Sequence, residues 1–345
     1  MADAIGSHSL ELFQRRAAAI EPPRRRFLNL AAGVAALAAL PRAARAQAYP
    51  ARPVRMIVPF APGGPTDVVA RLVARDLSER LGKQFFVENM PGASGTIGTA
   101  QAARAAPDGY TLLVAVNSHV INPTLFDHVP YDPIADFEPV ALAVTFATAL
   151  AVHPSVPARS VRELVALVKA DPGKYSFASP GTGTPSHLLG EQFRMTLGLD
   201  IVHVPFGGSG PAMSSVMAGH TPIGFAALSA AAPYAKDGKL EVLAVLSKSR
   251  SETLPDVPTM AQAGYAGLEG DGWVGILVPA KTPKDIVNLL NREMVAVITN
   301  SEMKTRLAEI GFAPSTGSPG DFARQMKSEG ETWSRIIRAA KIKAE

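Results

Sequence analysis

The chain of 345 residues is 47% hydrophobic and 19% charged, enough apolar content to pack two domains of ordinary size. Its net charge of +4 sits at the start: the first 46 residues hold seven Arg and three acidic residues, and 27 basic and 27 acidic residues balance beyond them. A neutral body with 6% aromatics lacks the basic stripe and stacking platforms of a nucleic-acid binder, and the lack of Cys excludes disulfides, lipoprotein attachment and thiolate metal sites.

Residues 1–46 read as an export signal. Arg24-Arg25-Arg26-Phe27-Leu28-Asn29 leads into an apolar run of eleven residues, Leu30 to Leu40. Ala44-Arg45-Ala46 then supplies a small-x-small cleavage pattern before Gln47, with Ala46-Gln47-Ala48 as the neighbouring option. The long polar stretch in front, the arginine pair and the Ala-rich core favour the twin-arginine route over the general secretory route. Eleven apolar residues fall short of the roughly 20 that a bilayer span needs. The expected location of the mature protein is the periplasm.

Short β-rich runs then alternate with helical patterns, which predicts an α/β fold on parallel-rich sheets. Val54 to Phe60 reads as a strand, Pro62-Gly63-Gly64-Pro65 breaks it, and a helix from Asp67 to Leu81 follows, apolar at Val68, Val69, Leu72, Val73 and Leu77 and stopped by Gly82. Gln84 to Asn89 and Thr111 to Val116 are further strands, the latter followed by Asn117 and Ser118. The run Pro139 to His153 reads as a crossing between domains. Tyr175 to Ala178 is a strand that breaks at Ser179-Pro180-Gly181-Thr182-Gly183-Thr184 before a helix opened by Pro185. Ile201 to Phe206 ends in a third glycine turn, Gly207-Gly208-Ser209-Gly210. Pro222 to Ala226 and Glu241 to Leu246 complete a second domain, and Leu240 to Ser247 is a second crossing before the loop Lys248 to Pro258. Trp273 to Val278 is a strand, and Pro283 to Ile298 and Asp321 to Ala340 are closing helices. The expected division is 47–146 with 248–345 in lobe I and 147–247 in lobe II, joined by a double hinge.

A glycine turn between a strand and a helix exposes backbone N–H groups at the helix start, where the aligned dipoles favour an anion. The first two turns together predict a carboxylate cradle. Catalysis finds no support. Ser179, Ser186, His187 and Asp67 offer no G-x-S-x-G elbow, and neither turn contains the G-K-[ST] of a phosphate loop. The histidines show no paired metal-ligand spacing. No cofactor, metal or catalytic residue is expected.

Several motifs in order carry a resemblance: Tyr49-Pro50-x-Arg52-Pro53-Val54-Arg55, Phe60 to Arg71, Val87 to Gly95, Asp108 to Leu113, Ser179 to Leu188, and Leu254 to Thr259 with Gly264 and Trp273. With them the chain resembles the substrate-binding receptors of tripartite tricarboxylate transporters, often called Bug proteins. The resemblance implies a two-lobed Venus-flytrap fold and a small organic acid held between the first two loops by backbone amides, hydroxyls and water. It implies a monomer that hands its ligand to membrane transporter components. The alternative is a sensor serving a signalling partner, and the remote one a hydrolase. Matching positions place ligand contacts at Ala61, Gly63, Gly64, Thr66 and Asp67, and at Ser179, Gly181, Thr182, Gly183, Thr184 and His187. Asn117, Ser118, Phe206 and Gly207 are further candidates. One departure is visible: the third turn reads Val204-Pro205-Phe206-Gly207-Gly208 where the family usually has Val-Pro-Tyr-Lys-Gly, so a phenolic hydroxyl and a cation are missing.

Overall fold

The computed structural model describes residues 49–315 and 317–340. The export signal lies outside the described residues. Along the chain, β1 (Val54–Val58), α1 (Pro65–Leu81), β2 (Phe85–Asn89), α2 (Thr96–Ala103), β3 (Thr111–Val116) and α3 (Ser118–Leu125) precede the long strand β4 (Phe137–Phe146). Then come β5 (Thr148–Val152), α4 (Val161–Ala170), β6 (Tyr175–Ser179), α5 (Pro185–Leu197), β7 (Ile201–Pro205), α6 (Ser209–Met217), β8 (Ile223–Ala227), α7 (Leu228–Lys236) and β9 (Glu241–Val245). The chain closes with β10 (Gly272–Pro279), α8 (Lys284–Thr299), α9 (Ser301–Glu309), β11 (Phe312–Pro314) and α10 (Pro319–Ala340).

Two sheets result, in the orders β11-β4-β10-β3-β1-β2 and β7-β6-β8-β5-β9. In the first, β1 runs parallel to β2 and β3, while β10 is antiparallel to β3 and β4. In the second, β6 runs parallel to β7 and β8, while β5 is antiparallel to β8 and β9. The strands expected from sequence are all present. The run Pro139 to His153, expected as a crossing, is two strands in different sheets, β4 and β5, parted at Ala147. Both are buried along nearly their whole length, so they lack the period-two alternation by which a half-buried strand is recognised. The three-residue strand β11 was not expected either.

Each sheet has its own core. Val54, Met56, Val58, Leu112, Val114 and Ile276 pack under Val69, Val73, Leu77 and Leu290 in the first. Leu150, Val152, Phe177, Phe225 and Leu243 pack with Leu164, Val168 and Phe193 in the second. Met260 and Leu268, beyond β9, also lie in the second core, and the next first-sheet strand begins only at Gly272. The parallel strands β1, β6 and β7 all point their carboxyl ends at loops that start helices. In open α/β sheets that edge is where ligands bind.

Candidate functional site

Three strand-to-helix turns meet around one cavity. The first leaves β1 through Phe60 to Gly64. Gly63 takes φ +89°, a value open to glycine, and Gly64 is extended at φ −89°, ψ 173°. Pro65 then occupies the first turn of α1, where its fixed φ suits the helix and its missing N–H costs nothing. No side chain caps this start. The second turn leaves β6 through Ser179 to Thr184, with Gly181 at φ +139° and Gly183 at φ +79°, and Pro185 again opens the helix. The third leaves β7 and starts α6 at Ser209 behind Gly208, again without a side-chain cap.

The cavity between them is lined by Gly64, Pro65 and Thr66 from the first turn, Pro180, Thr184, Pro185 and Ser186 from the second, and Gly208 and Ser209 from the third. Phe60, Val116, Phe146 and Ala227 form the apolar remainder and belong to the core of the first sheet. Its volume is about 30 Å³, room for roughly two waters. The turns are closed on one another: the Ala61 N–H donates to the Gly207 carbonyl at 2.9 Å. No charged side chain lines the cavity. Its electrostatic character comes from helix starts, each a partial positive charge of about half a unit.

Behind the lining, side chains hold the turns in shape. Asp67 accepts from the Gly63 N–H at 3.1 Å, from Arg71 Nε at 3.0 Å and from Asn89 Nδ2 at 3.0 Å. Burial raises its carboxyl, but the hydrogen bonds from Arg71, Asn89 and Gly63 and the charge of Arg71 outweigh that and leave it below the usual carboxylate range. Asn89 also donates to the Phe60 carbonyl at 3.0 Å. In the second turn the Gly183 N–H donates to His187 Nδ1 at 3.1 Å, and the His187 N–H donates to the capping Thr184 Oγ1 at 3.3 Å. Ser179 Oγ accepts from the Gly181 N–H at 3.2 Å and lies 2.6 Å from His203 Nε2. The His187 and His203 rings sit 4.1 Å apart. Burial, then each neighbouring positive charge, holds both in the neutral form: His187 is lowered to about 3 by burial, His203 and Arg194, and His203 to about 4 by burial and Arg194.

Of the residues expected at the ligand, Gly64, Thr66 and Thr184 line the cavity; Ala61, Gly63, Asp67, Ser179, Gly181, Thr182, Gly183, His187, Phe206 and Gly207 do not. Asp67, Ser179 and His187 hydrogen-bond to amides of the turns. Asn117 and Ser118 are also outside the lining. Asn117 Oδ1 accepts the Trp273 N–H at 2.9 Å, and Nδ2 donates to Glu329 of α10. Trp273 Nε1 donates to the same carboxylate at 2.6 Å. Burial raises the Glu329 carboxyl against the opposing hydrogen bonds from Asn117, Trp273 and Trp333. This network fixes the end of β3, next to Val116 of the cavity wall. Sequence reasoning missed Ser186, Ser209 and the apolar wall. The Gly-Gly-Ser-Gly signal of the third turn was visible, but it points to the turn and not to the residue that lines the cavity. Among the described residues no group of three or more His, Asp or Glu is placed to hold a metal ion.

The sequence model of the tripartite tricarboxylate transporter family receptor matches residues 69–342. Protein BugT of Bordetella pertussis is 35% identical over 293 residues, covering 84% of this chain and 90% of its own. Rpa4515 of R. palustris, solved with adipate, superimposes with a TM-score of 0.83 at 33% identity, covering 85% of this chain and 98% of its own. MatC of Rhodopseudomonas palustris, solved with bound malate, gives 0.80 at 32% identity over 84% of this chain and 100% of its own. A two-sheet α/β fold, three helix starts at one cleft and this extent of similarity lead to one assignment: the chain belongs to the tripartite tricarboxylate transporter receptor family, whose members are solute-binding receptors and not enzymes.

Proposed function

We propose that this protein captures a small organic acid by its carboxylate between the glycine turns of two lobes and delivers it, as a monomer, to the membrane components of a tripartite tricarboxylate-type transporter. The lobes divide the chain into 47–146 with 248–345, and 147–247, with the segment after β9 lying against the second lobe. The observation that carries this reading is the convergence of three helix starts on a cavity with no charged side chain. Such a site neutralises one buried carboxylate with backbone dipoles and hydroxyls. The adipate and malate complexes of two similar receptors support the same ligand class.

Residues 1–46 direct export to the periplasm through the arginine pair Arg24-Arg25. No helix of the described residues is long and apolar enough to cross a membrane. Replacing both arginines with Lys is expected to leave full-length precursor in the cytoplasm; normal periplasmic accumulation would remove the twin-arginine assignment.

The binding reading is tested by a thermal-shift screen of aliphatic, hydroxy, amino and aromatic acids on protein refolded to strip carried ligand. A true ligand at about 100 times its dissociation constant adds roughly 2.7 kcal/mol. A screen without any stabilising acid would overturn the reading.

A further inference from the structure

We infer that Gly210, which does not line the cavity, sets how closely the first and third turns meet, and with that how far the two lobes close. The consequence for ligand rests on the carboxylate reading above; the closure itself does not.

The first turn leaves a strand of the first sheet and the third turn a strand of the second, and bare backbone is what they bring together. The Ala61 N–H donates to the Gly207 carbonyl at 2.9 Å. A Cβ on Gly208 would stand 3.3 Å from the Ala61 nitrogen, oxygen and Cβ. A Cβ on Gly210 would stand 2.7 Å from the Pro62 carbonyl oxygen, and its next neighbours, at 3.8 Å, would be Gly63 Cα and the Pro62 carbonyl carbon. All of these obstacles lie on the first turn.

Gly210 differs from the other glycines of the site in two respects. It lies in the first turn of α6 without a positive φ, where alanine is the better helix former, so its own segment does not call for a glycine. Its obstacle is also a backbone carbonyl, whereas the obstacles at Gly183 are the ends of two side chains. The planar peptide unit that carries the Pro62 carbonyl also carries the Gly63 N–H, which Asp67 holds at 3.1 Å. The carbonyl therefore cannot swing aside without giving up that bond. A methyl carbon sits at roughly 3.3 Å or more from a carbonyl oxygen, so alanine at 210 parts the turns by roughly 0.6 Å. The Ala61 bond then passes the ~3.2 Å limit of good N–H···O geometry. The helices α1 and α6 begin beside this contact, at Pro65 and Ser209. Parting them separates two helix starts that share one cavity, and the closed, binding-competent fraction falls.

The chain has no Cys, so an engineered pair reports closure directly. A Cβ on Gly64 would stand 3.8 Å from Ser209 Cβ, which is about the mean Cβ separation across a disulfide. The test places Gly64→Cys with Ser209→Cys in the refolded full chain, oxidises it with copper phenanthroline in the absence of any acid, and follows the loss of free thiol. The pair is expected to cross-link, and adding Gly210→Ala is expected to slow the reaction on the order of tenfold or more. Circular dichroism and the melting temperature of the reduced Gly210→Ala chain are expected to stay essentially unchanged. An equal cross-linking rate in both backgrounds, or no cross-link in either, would overturn the inference. So would a clear fall in melting temperature, which would make the glycine a need of α6 itself. No acid is used, so each of these outcomes leaves the receptor reading to its own screen.

Discussion

The first and second glycine turns do the same job by different chemistry. Both present a helix start to the cleft behind a proline at the first turn of the helix. The first is braced by an ionised carboxylate, Asp67, which gathers the Gly63 amide, Arg71 and Asn89 around one charge. The second is braced by neutral groups, the tilted, adjacent rings of His187 and His203, and the hydroxyls of Ser179 and Thr184. The glycines differ as well. A Cβ on Gly183 would lie 2.4 Å from Asn122 Oδ1 and 2.9 Å from Leu125 Cδ1, while one on Gly64 would meet nothing nearer than 3.7 Å. The second turn is wedged against α3; the first has room. Equivalent motifs in sequence therefore tolerate change very differently.

Gly183→Val should produce the largest effect. It combines a β-branched residue at positive φ, at a local cost of about 1–3 kcal/mol for the backbone alone, with a contact that forces the ends of the Asn122 and Leu125 side chains to shift. Displacement of the turn removes its N–H groups from the ligand as well, and affinity should fall on the order of a hundredfold. Titration calorimetry with circular dichroism separates lost binding from lost folding. Equal affinity in this variant would mean that the second turn does not contact ligand.

Asp67→Asn comes next. It keeps the shape but removes the charge that collects three donors, and each charge-assisted hydrogen bond is worth about 1.5–3 kcal/mol. Arg71 is more than half exposed, so its share is discounted for solvent screening. A loss of about 2 kcal/mol in denaturant unfolding is expected; no loss would make the carboxylate dispensable to the first turn.

The two braces also predict separate acid responses. His187 and His203 are lowered in the folded protein from the ordinary 6.5 to about 3 and about 4. The unfolded chain therefore takes up protons first as pH falls, so their stabilising contribution is complete above about 6.5 and is lost toward pH 4. Asp67 is also lowered, so its contribution has the same sign but is lost only further into acid, below the ordinary carboxylate range. Melting temperature against pH should thus decline in two stages, and His203→Phe should flatten the upper one. An unchanged profile in that variant would remove the histidine pair from the account.

Gly64→Ala should have the smallest effect, within about 0.5 kcal/mol in stability, because its φ is ordinary and an added Cβ would meet only Ser209, at van der Waals distance. If it were as damaging as Gly183→Val, the contrast between the turns would fail.

Local chemistry made much of this protein readable. Gly and Pro punctuate strand ends and helix starts within a few residues of one another, so all three turns, the helix from Asp67 onward and most strands are written in short stretches of chain. The motif order likewise pointed to the receptor family. What escaped reading depends on distant partners. The crossing near residue 147 was legible, but not that both its arms, β4 and β5, are strands, because two sheets claim adjacent stretches of one continuous apolar run. Asn117 looked available for ligand at a strand end, yet its amide is taken by Glu329, 212 residues away. Ser186 and Ser209 line the cavity while Asp67 and His187 hydrogen-bond behind it, because which atom of a turn faces the cavity is decided by how the turns pack against each other. Sequence determines where a chain must expose bare amides, since that follows from Gly and Pro backbone preferences; only tertiary packing decides which amides and hydroxyls share one cavity, because that requires groups from remote segments to be desolvated together.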